Sequence, residues 1–218
     1  VFERLDNLTE QEWLEIRQKV LTASDIGVIL GLNPWKTVKE LIESKANIQI
    51  LDNSYMWLGR QLESLVVECT NKVLNSSFEL FNYKAFFVDR NIGLGATPDA
   101  GDKKVLLECK STRPSNALKW GNLPPLYYLT QLYTQMICCN RNTGYLSILS
   151  TNLTQRNSEL YLPISVHKIE RDLKLDNIIL EEVRRFWNCK SVNKQYRVDR
   201  KQTSMLELKL RAMVNKIY

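Results

Sequence analysis

One histidine, His167, stands in a chain of 218 residues. A Ser-His or Cys-His catalytic pair would have to rest on it alone, and no nucleophile motif accompanies it. It lies in residues 160–169, where apolar and polar side chains partly alternate, so it reads as a strand residue. The same count excludes a histidine-rich zinc site. The five cysteines, Cys69, Cys109, Cys138, Cys139 and Cys189, include no Cys-x-x-Cys pair. That argues against a zinc ribbon and gives an iron–sulfur centre no support from spacing. An odd number of thiols in a charged chain fits a reducing compartment. No stretch approaches the roughly 18 apolar residues of a membrane span, and no signal peptide is visible. The expectation is an intracellular protein with no membrane partner.

What is present is a core. The chain is 44% hydrophobic, which suits one domain with a small appendage. Lys+Arg outnumber Asp+Glu by 30 to 24, a net +6 that is compatible with a polyanionic partner but does not require one.

Periodicity and caps give the element order. Thr9 and Glu12 form a capping box opening a helix over residues 9–20, with Trp13, Ile16 and Val20 as its apolar stripe. Thr22 to Asp25 offer cap chemistry for a short helix over 26–30, ended by Gly31. Asn33-Pro34-Trp35 is a turn, and Thr37 opens a helix to about residue 46. Residues 55–75 carry the longest helical pattern, with Leu58, Leu62, Leu65, Val66, Cys69 and Val73 on one stripe. Residues 78–89, 92–97 and 103–110 read as strands, the last two joined by a tight turn at 99–102. Pro124-Pro125 starts a helix through 126–139. Strands at 144–150 and 159–167 and a helix at 172–189 follow. A basic tail begins at Ser191, with an amphipathic segment at 205–217. This order implies a mixed α/β fold around a central sheet.

Chemistry concentrates in Thr97-Pro98-Asp99 and Leu107-Glu108-Cys109-Lys110. Val105, Leu106 and Leu107 form a continuous apolar run, so Glu108 and Lys110 extend a buried strand and project to one face. Phosphodiester hydrolysis needs a nucleophilic water and neutralisation of charge on the phosphate. Mg²⁺ does both and usually takes one or two carboxylates plus waters. Asp99 and Glu108 can supply these, and the Cys109 backbone carbonyl a third oxygen. Mn²⁺ accepts the same ligands. Lys110 can orient the water or offset charge in the transition state. A plain salt bridge in a strand hairpin is the competing reading.

Glu63 lies on a largely apolar helix face, beside Gly59, Val66 and Val67, where an unpaired charge is costly. It is either a site residue or a boundary glutamate turned to solvent. Gln131 and Gln135 share one helix face. Gln131 can reach the lysine or the water, and both can equally be solvated. Arg17, one turn after Trp13, adds a bidentate donor. Ser24, near a helix start, is either a phosphate ligand or an N-cap.

Taken in order, these pieces resemble the lambda exonuclease/YqaJ-type viral recombinase family of the PD-(D/E)-x-K nuclease superfamily. The resemblance spans about residues 13–172. Its parts are Trp13…Arg17 with Thr22-Ala23-Ser24, Gly31-Leu32-Asn33-Pro34-Trp35, Gly59-Arg60-Gln61-Leu62-Glu63, the Asp99/Glu108/Lys110 motif, and Tyr128…Gln131…Gln135-Met136. Ala100 after Asp99 and Tyr133 in place of a second glutamine depart from the usual pattern, and the tail has no counterpart.

The resemblance implies an α/β fold with a restriction-endonuclease-like core, a central mixed β-sheet flanked by helices. It implies a nuclease domain over 1–190 and a basic C-terminal extension over 191–218. It further implies a metal-dependent exonuclease on linear double-stranded DNA, cutting 5′ to 3′ and leaving 3′ single strands for recombination. Arg17 and Ser24 would bind the 5′ phosphate. Asp99 and Glu108 would hold Mg²⁺, Lys110 would activate water, and Glu63 and Gln131 would complete the site. A trimeric or tetrameric ring, a single-strand annealing partner, and a host cytoplasm or nucleoid location in a phage or mobile element follow from the same likeness. The alternatives are an endonuclease on the same fold, a non-catalytic DNA-binding protein and an iron–sulfur nuclease.

Overall fold

The computed structural model describes residues 1–46, 54–81, 85–151, 154–156, 159–161, 163–191 and 195–218. In chain order the elements are β1 (Glu3–Leu5), α1 (Glu10–Lys19), β2 (Leu21–Thr22), α2 (Ala23–Ile29), α3 (Val38–Ala46), α4 (Ser54–Leu74), β3 (Glu79–Leu80), β4 (Phe86–Asp89), β5 (Leu94–Ala96), β6 (Ala100–Gly101), β7 (Val105–Thr112), α5 (Pro114–Trp120), α6 (Leu126–Cys138), β8 (Thr143–Ser150), β9 (Thr154–Arg156), β10 (Glu159–Tyr161), β11 (Ile164–Glu170), α7 (Leu173–Ser191), α8 (Arg200–Met213) and β12 (Asn215–Lys216).

The chain is mixed α/β, with two mixed sheets and flanking helices. A six-stranded sheet runs β12-β11-β8-β7-β6-β3, and a four-stranded sheet runs β1-β4-β5-β2. In the larger sheet only β7 and β8 are parallel. Alternation along β7 divides its side chains. Leu107 and Cys109 pack with Val66 and Val67 of α4. Leu106 packs with Leu129, Leu132 and Met136 of α6. Glu108 and Lys110 share the parity of Leu106, so they face α6.

The caps behave as the sequence chemistry dictates. Thr9 and Glu12 close a capping box on α1, and Thr37 and Glu40 repeat it on α3. After α2, Gly31 takes φ 68°. Its N–H donates to Val28 O and the Leu32 N–H to Gly27 O, a Schellman stop.

Several boundaries differ from the sequence reading. The helix expected over 26–30 starts three residues earlier, at Ala23, because Thr22 takes the cap position. The strand expected over 78–89 is two short strands, β3 and β4, with residues 82–84 outside the described set. The strand expected over 159–167 is likewise two, β10 and β11, with residue 162 outside that set.

The tight turn expected at 99–102 is not one. Ala100 and Gly101 form β6, which pairs with β7, and the chain reverses after Asp102, whose carboxylate accepts from the Lys104 and Val105 N–H groups. A Cβ at Gly101 would collide with the Val105 carbonyl oxygen. The strands expected over 92–97 and 103–110 accordingly belong to different sheets. Leu58, expected on the buried stripe of α4, is exposed beside Met56 and Trp57, and full burial begins at Val66. The amphipathic segment expected at 205–217 is α8 plus β12. Leu206 and Leu210 lie in the main core, and β12 pairs with β11. His167 is a buried residue of β11, as read. Among the described residues no helix is long and apolar enough to cross a membrane.

Candidate active site

Asp99 immediately precedes β6, and Ala100 pairs with Leu107, so Asp99 comes opposite Glu108 across two neighbouring strands. Its Oδ2 accepts the Cys109 N–H at 2.8 Å. Glu108 is fully buried. The Gln131 Nε2 donates to its Oε1 at 2.5 Å and the Gln135 Nε2 to its Oε2 at 2.6 Å. The Lys110 ammonium pairs with Oε1 as well. A carboxylate with two amide donors and one ammonium has a fixed orientation, and that offsets its desolvation.

Gln131 therefore reaches Glu108 rather than the lysine. The second glutamine of the helix is Gln135, which also donates to Thr97 O at 3.3 Å. Tyr133, read as standing in that glutamine's place, turns into the core. Its hydroxyl donates to Asp176 Oδ1 at 3.0 Å.

The charges are out of balance. Glu63, Asp99 and Glu108 face the Lys110 ammonium, and Arg60 acts on Glu63 as well, so three carboxylates meet two cations. Burial, then Glu108, hold the Asp99 carboxyl well above the usual carboxylate range. Burial raises Glu63 as well. Burial opposes the charge on Lys110, but Glu108 and Asp99 outweigh it and keep the ammonium protonated. Lys110 also lies 5.3 Å from the Tyr128 ring centroid, and burial pushes the Tyr128 phenol up to about 12.

A protonated Lys110 is a hydrogen-bond donor. The excess of buried carboxylate is what a divalent cation would relieve. Among the described residues no group of three His, Cys, Asp or Glu side chains converges as a cage. Two carboxylates with backbone oxygen are the donor set that Mg²⁺ accepts, and closed thiolate or imidazole sites are not available. The five thiols are free, and burial raises that of Cys109.

The second cluster lies next door. A cavity of about 300 Å³ is lined by Trp13, Arg17 and Ser24 on one side and Glu63, Asp99, Gln131 and Gln135 on the other. Trp13 stacks under Arg17, its ring centroid 4.3 Å from Cζ, and donates from Nε1 to Thr97 Oγ1 at 3.3 Å. Ser24 is exposed in the first turn of α2. Arg17, Ser24, Glu63, Asp99 and Gln131 therefore share one depression, while Glu108 is buried behind it and Lys110 faces the neighbouring groove. Glu63 also lines a larger groove, about 1390 Å³, that runs past Lys110, Arg113, Lys119, Trp35 and Tyr127.

Sequence reasoning left Gln135 undecided, gave Tyr128 only as a motif residue and Asp25 only as cap chemistry, and missed Lys45. Asp25 could have been found as a lone charge inside the apolar run 23–30. Nothing marks Lys45, which lies 28 residues from Arg17 and meets it through the fold.

Residues 12–145 match the YqaJ-like viral recombinase domain. YqaJ of Bacillus subtilis (strain 168) is 27% identical over 210 residues, covering 89% of this chain; the chain spans 60% of that protein's length. Among solved structures, the alkaline exonuclease LHK-Exo from Laribacter hongkongensis superposes with a TM-score of 0.59 at 19% identity, over 93% of this chain and 97% of that one. A phage related exonuclease from Haemophilus somnus 129PT gives 0.52 at 12% identity, over 88% and 96%. Both likenesses show the fold.

Proposed function

The chain belongs to the YqaJ-like viral recombinase family, and from that premise we propose that it is a metal-dependent exonuclease that degrades linear double-stranded DNA from a 5′ end. The observation that carries this is the fully buried Glu108 carboxylate, held by Gln131, Gln135 and Lys110 beside an Asp99 that burial and neighbouring carboxylates disfavour as an anion.

Asp99, Glu108 and the Cys109 carbonyl would hold Mg²⁺, with Mn²⁺ an acceptable substitute. When bound, such an ion supplies positive charge to the phosphate and a more acidic water. Gln131 and Gln135 fix the plane of the Glu108 carboxylate. Lys110, protonated, donates to the attacking water or to the phosphate oxygens, where its charge opposes the charge that develops. Glu63 completes the carboxylate wall.

Arg17, backed by the Trp13 ring, and the Ser24 hydroxyl would receive a 5′ phosphate in the adjoining cavity. The larger groove, with Arg113, Lys119 and exposed Trp35, supports a DNA strand: cations for phosphates and a ring for a base. The 3′ single strand left behind would serve recombination by annealing, with an annealing protein as partner. A trimeric or tetrameric ring would keep the enzyme on its substrate.

Incubating the protein with linear and covalently closed circular duplex, in Mg²⁺ and in EDTA, tests this reading. Digestion of the linear form alone, and only with metal, supports it. Cutting of the circle assigns an endonuclease instead, and intact linear duplex in Mg²⁺ removes nuclease activity altogether.

A further inference from the structure

We propose that Lys45 is a positioning residue that ties the two halves of the phosphate cavity together, the Arg17 half on α1 and the Ser24 half on α2. This inference rests on the phosphate-pocket reading above.

Arg17 and Ser24 come from different elements, so something must fix their separation. The Lys45 Nζ, on α3, donates to the Arg17 carbonyl at 2.7 Å and pairs with Asp25 Oδ2 at 2.7 Å. That carbonyl is one of the last four of α1, which have no partner within the helix, and a cation is the favoured donor there. The same Asp25 oxygen accepts the Thr22 N–H at 2.8 Å and the Thr22 hydroxyl at 2.7 Å. The Thr22 hydroxyl lies 3.1 Å from Ser24 Oγ. One ammonium thus connects the backbone under Arg17 to the hydroxyl of Ser24 through two further side chains.

The pair is well shielded, with the side chains of Lys45 and Asp25 exposed by only 9% and 12%. An unpaired carboxylate directly behind an anion cavity would repel the ligand, and Lys45 neutralises it. Burial opposes the charge on Asp25, but Lys45 and the Thr22 donors outweigh it and hold the carboxyl low. Lys45 itself does not line the cavity, so it acts through Arg17 and Asp25.

The test is the ratio of digestion rates on 5′-phosphorylated and 5′-hydroxyl linear duplex, measured with thermal midpoints. It uses wild type, Lys45→Met and Lys45→Met with Asp25→Asn. The double variant removes both charges and keeps a folded protein available if the single one unfolds. In Lys45→Met the preference for phosphate falls on the order of 10- to 100-fold. The double variant regains the thermal midpoint but not the preference. Retention of the wild-type ratio in Lys45→Met overturns the inference, as does recovery of both ratio and midpoint in the double variant, which would make Lys45 a charge neutraliser only. Absence of any phosphate preference in wild type is a different failure: it removes the pocket itself.

Discussion

Replacing Gln135 by methionine separates orientation of the metal-binding carboxylate from its burial. The side chain keeps its length, so α6 keeps its packing, but Glu108 Oε2 loses the amide donor at 2.6 Å. A hydrogen bond to a charged acceptor contributes about 1.5–3 kcal/mol. For a chain of this size each kcal/mol moves the thermal midpoint by about 2–4 °C. The midpoint should fall by about 3–12 °C, leaving a folded protein. Gln131 and Lys110 still hold Oε1, so the carboxylate rotates instead of leaving the site. Loss of such an orienting partner typically costs about 10- to 100-fold in activity. The assay is release of acid-soluble nucleotide from linear duplex in Mg²⁺, run beside a melting curve. Thr134→Val is the control: its neighbouring hydroxyl donates to Thr130 O within the helix, away from Glu108, and its loss should leave the rate unchanged. A folded Gln135→Met protein with the wild-type rate would refute the idea that paired glutamines set the carboxylate.

Lys110→Ala should abolish digestion while duplex binding, followed by mobility shift, survives; residual cutting near the wild-type rate would take Lys110 out of the reaction. In the groove, Trp35→Ala should weaken single-stranded DNA binding by about 1–3 kcal/mol. Lys119→Ala should lower the slope of log affinity against log salt by about one; wild-type binding by both variants would move the DNA path elsewhere. Burial, then Lys216, lower the pKa of His167 from 6.5 to about 4. The unfolded chain therefore binds more protons than the fold between those values, so stability present above pH 6.5 is lost as pH falls towards 4. His167→Asn should flatten that part of the melting profile, and an unchanged slope would assign the acid sensitivity to other groups.

Local chemistry made much of this site legible in the sequence. Caps at Thr9 and Thr37, the Gly31 stop and the apolar run before Glu108 each depend on neighbours a few residues away, and each appears where the pattern puts it. Glu108 and Lys110 share a face because strand parity requires it. The paired glutamines were visible as one helix face, but which carboxylate they serve depends on how α6 crosses β7. Tertiary pairing decided the rest. Residues 99–102 carry turn-forming Asp and Gly, yet two of them join a strand because β3 and β7 offer partners on both sides. The link from Lys45 to Arg17 and Asp25 crosses three elements and has no periodic signature.

The most direct measurement uses one linear duplex carrying a 5′ phosphate, with a fluorescent base near either the 5′ or the 3′ terminus of one strand, digested in Mg²⁺. The 5′-proximal label should be released first as mononucleotide, the 3′-proximal label should persist in shortening strands, and a 5′ hydroxyl should slow the start. Early release of the 3′-proximal label, or equal rates from phosphate and hydroxyl ends, would contradict an end-recognising site built from Arg17, Ser24, Asp99, Glu108 and Lys110.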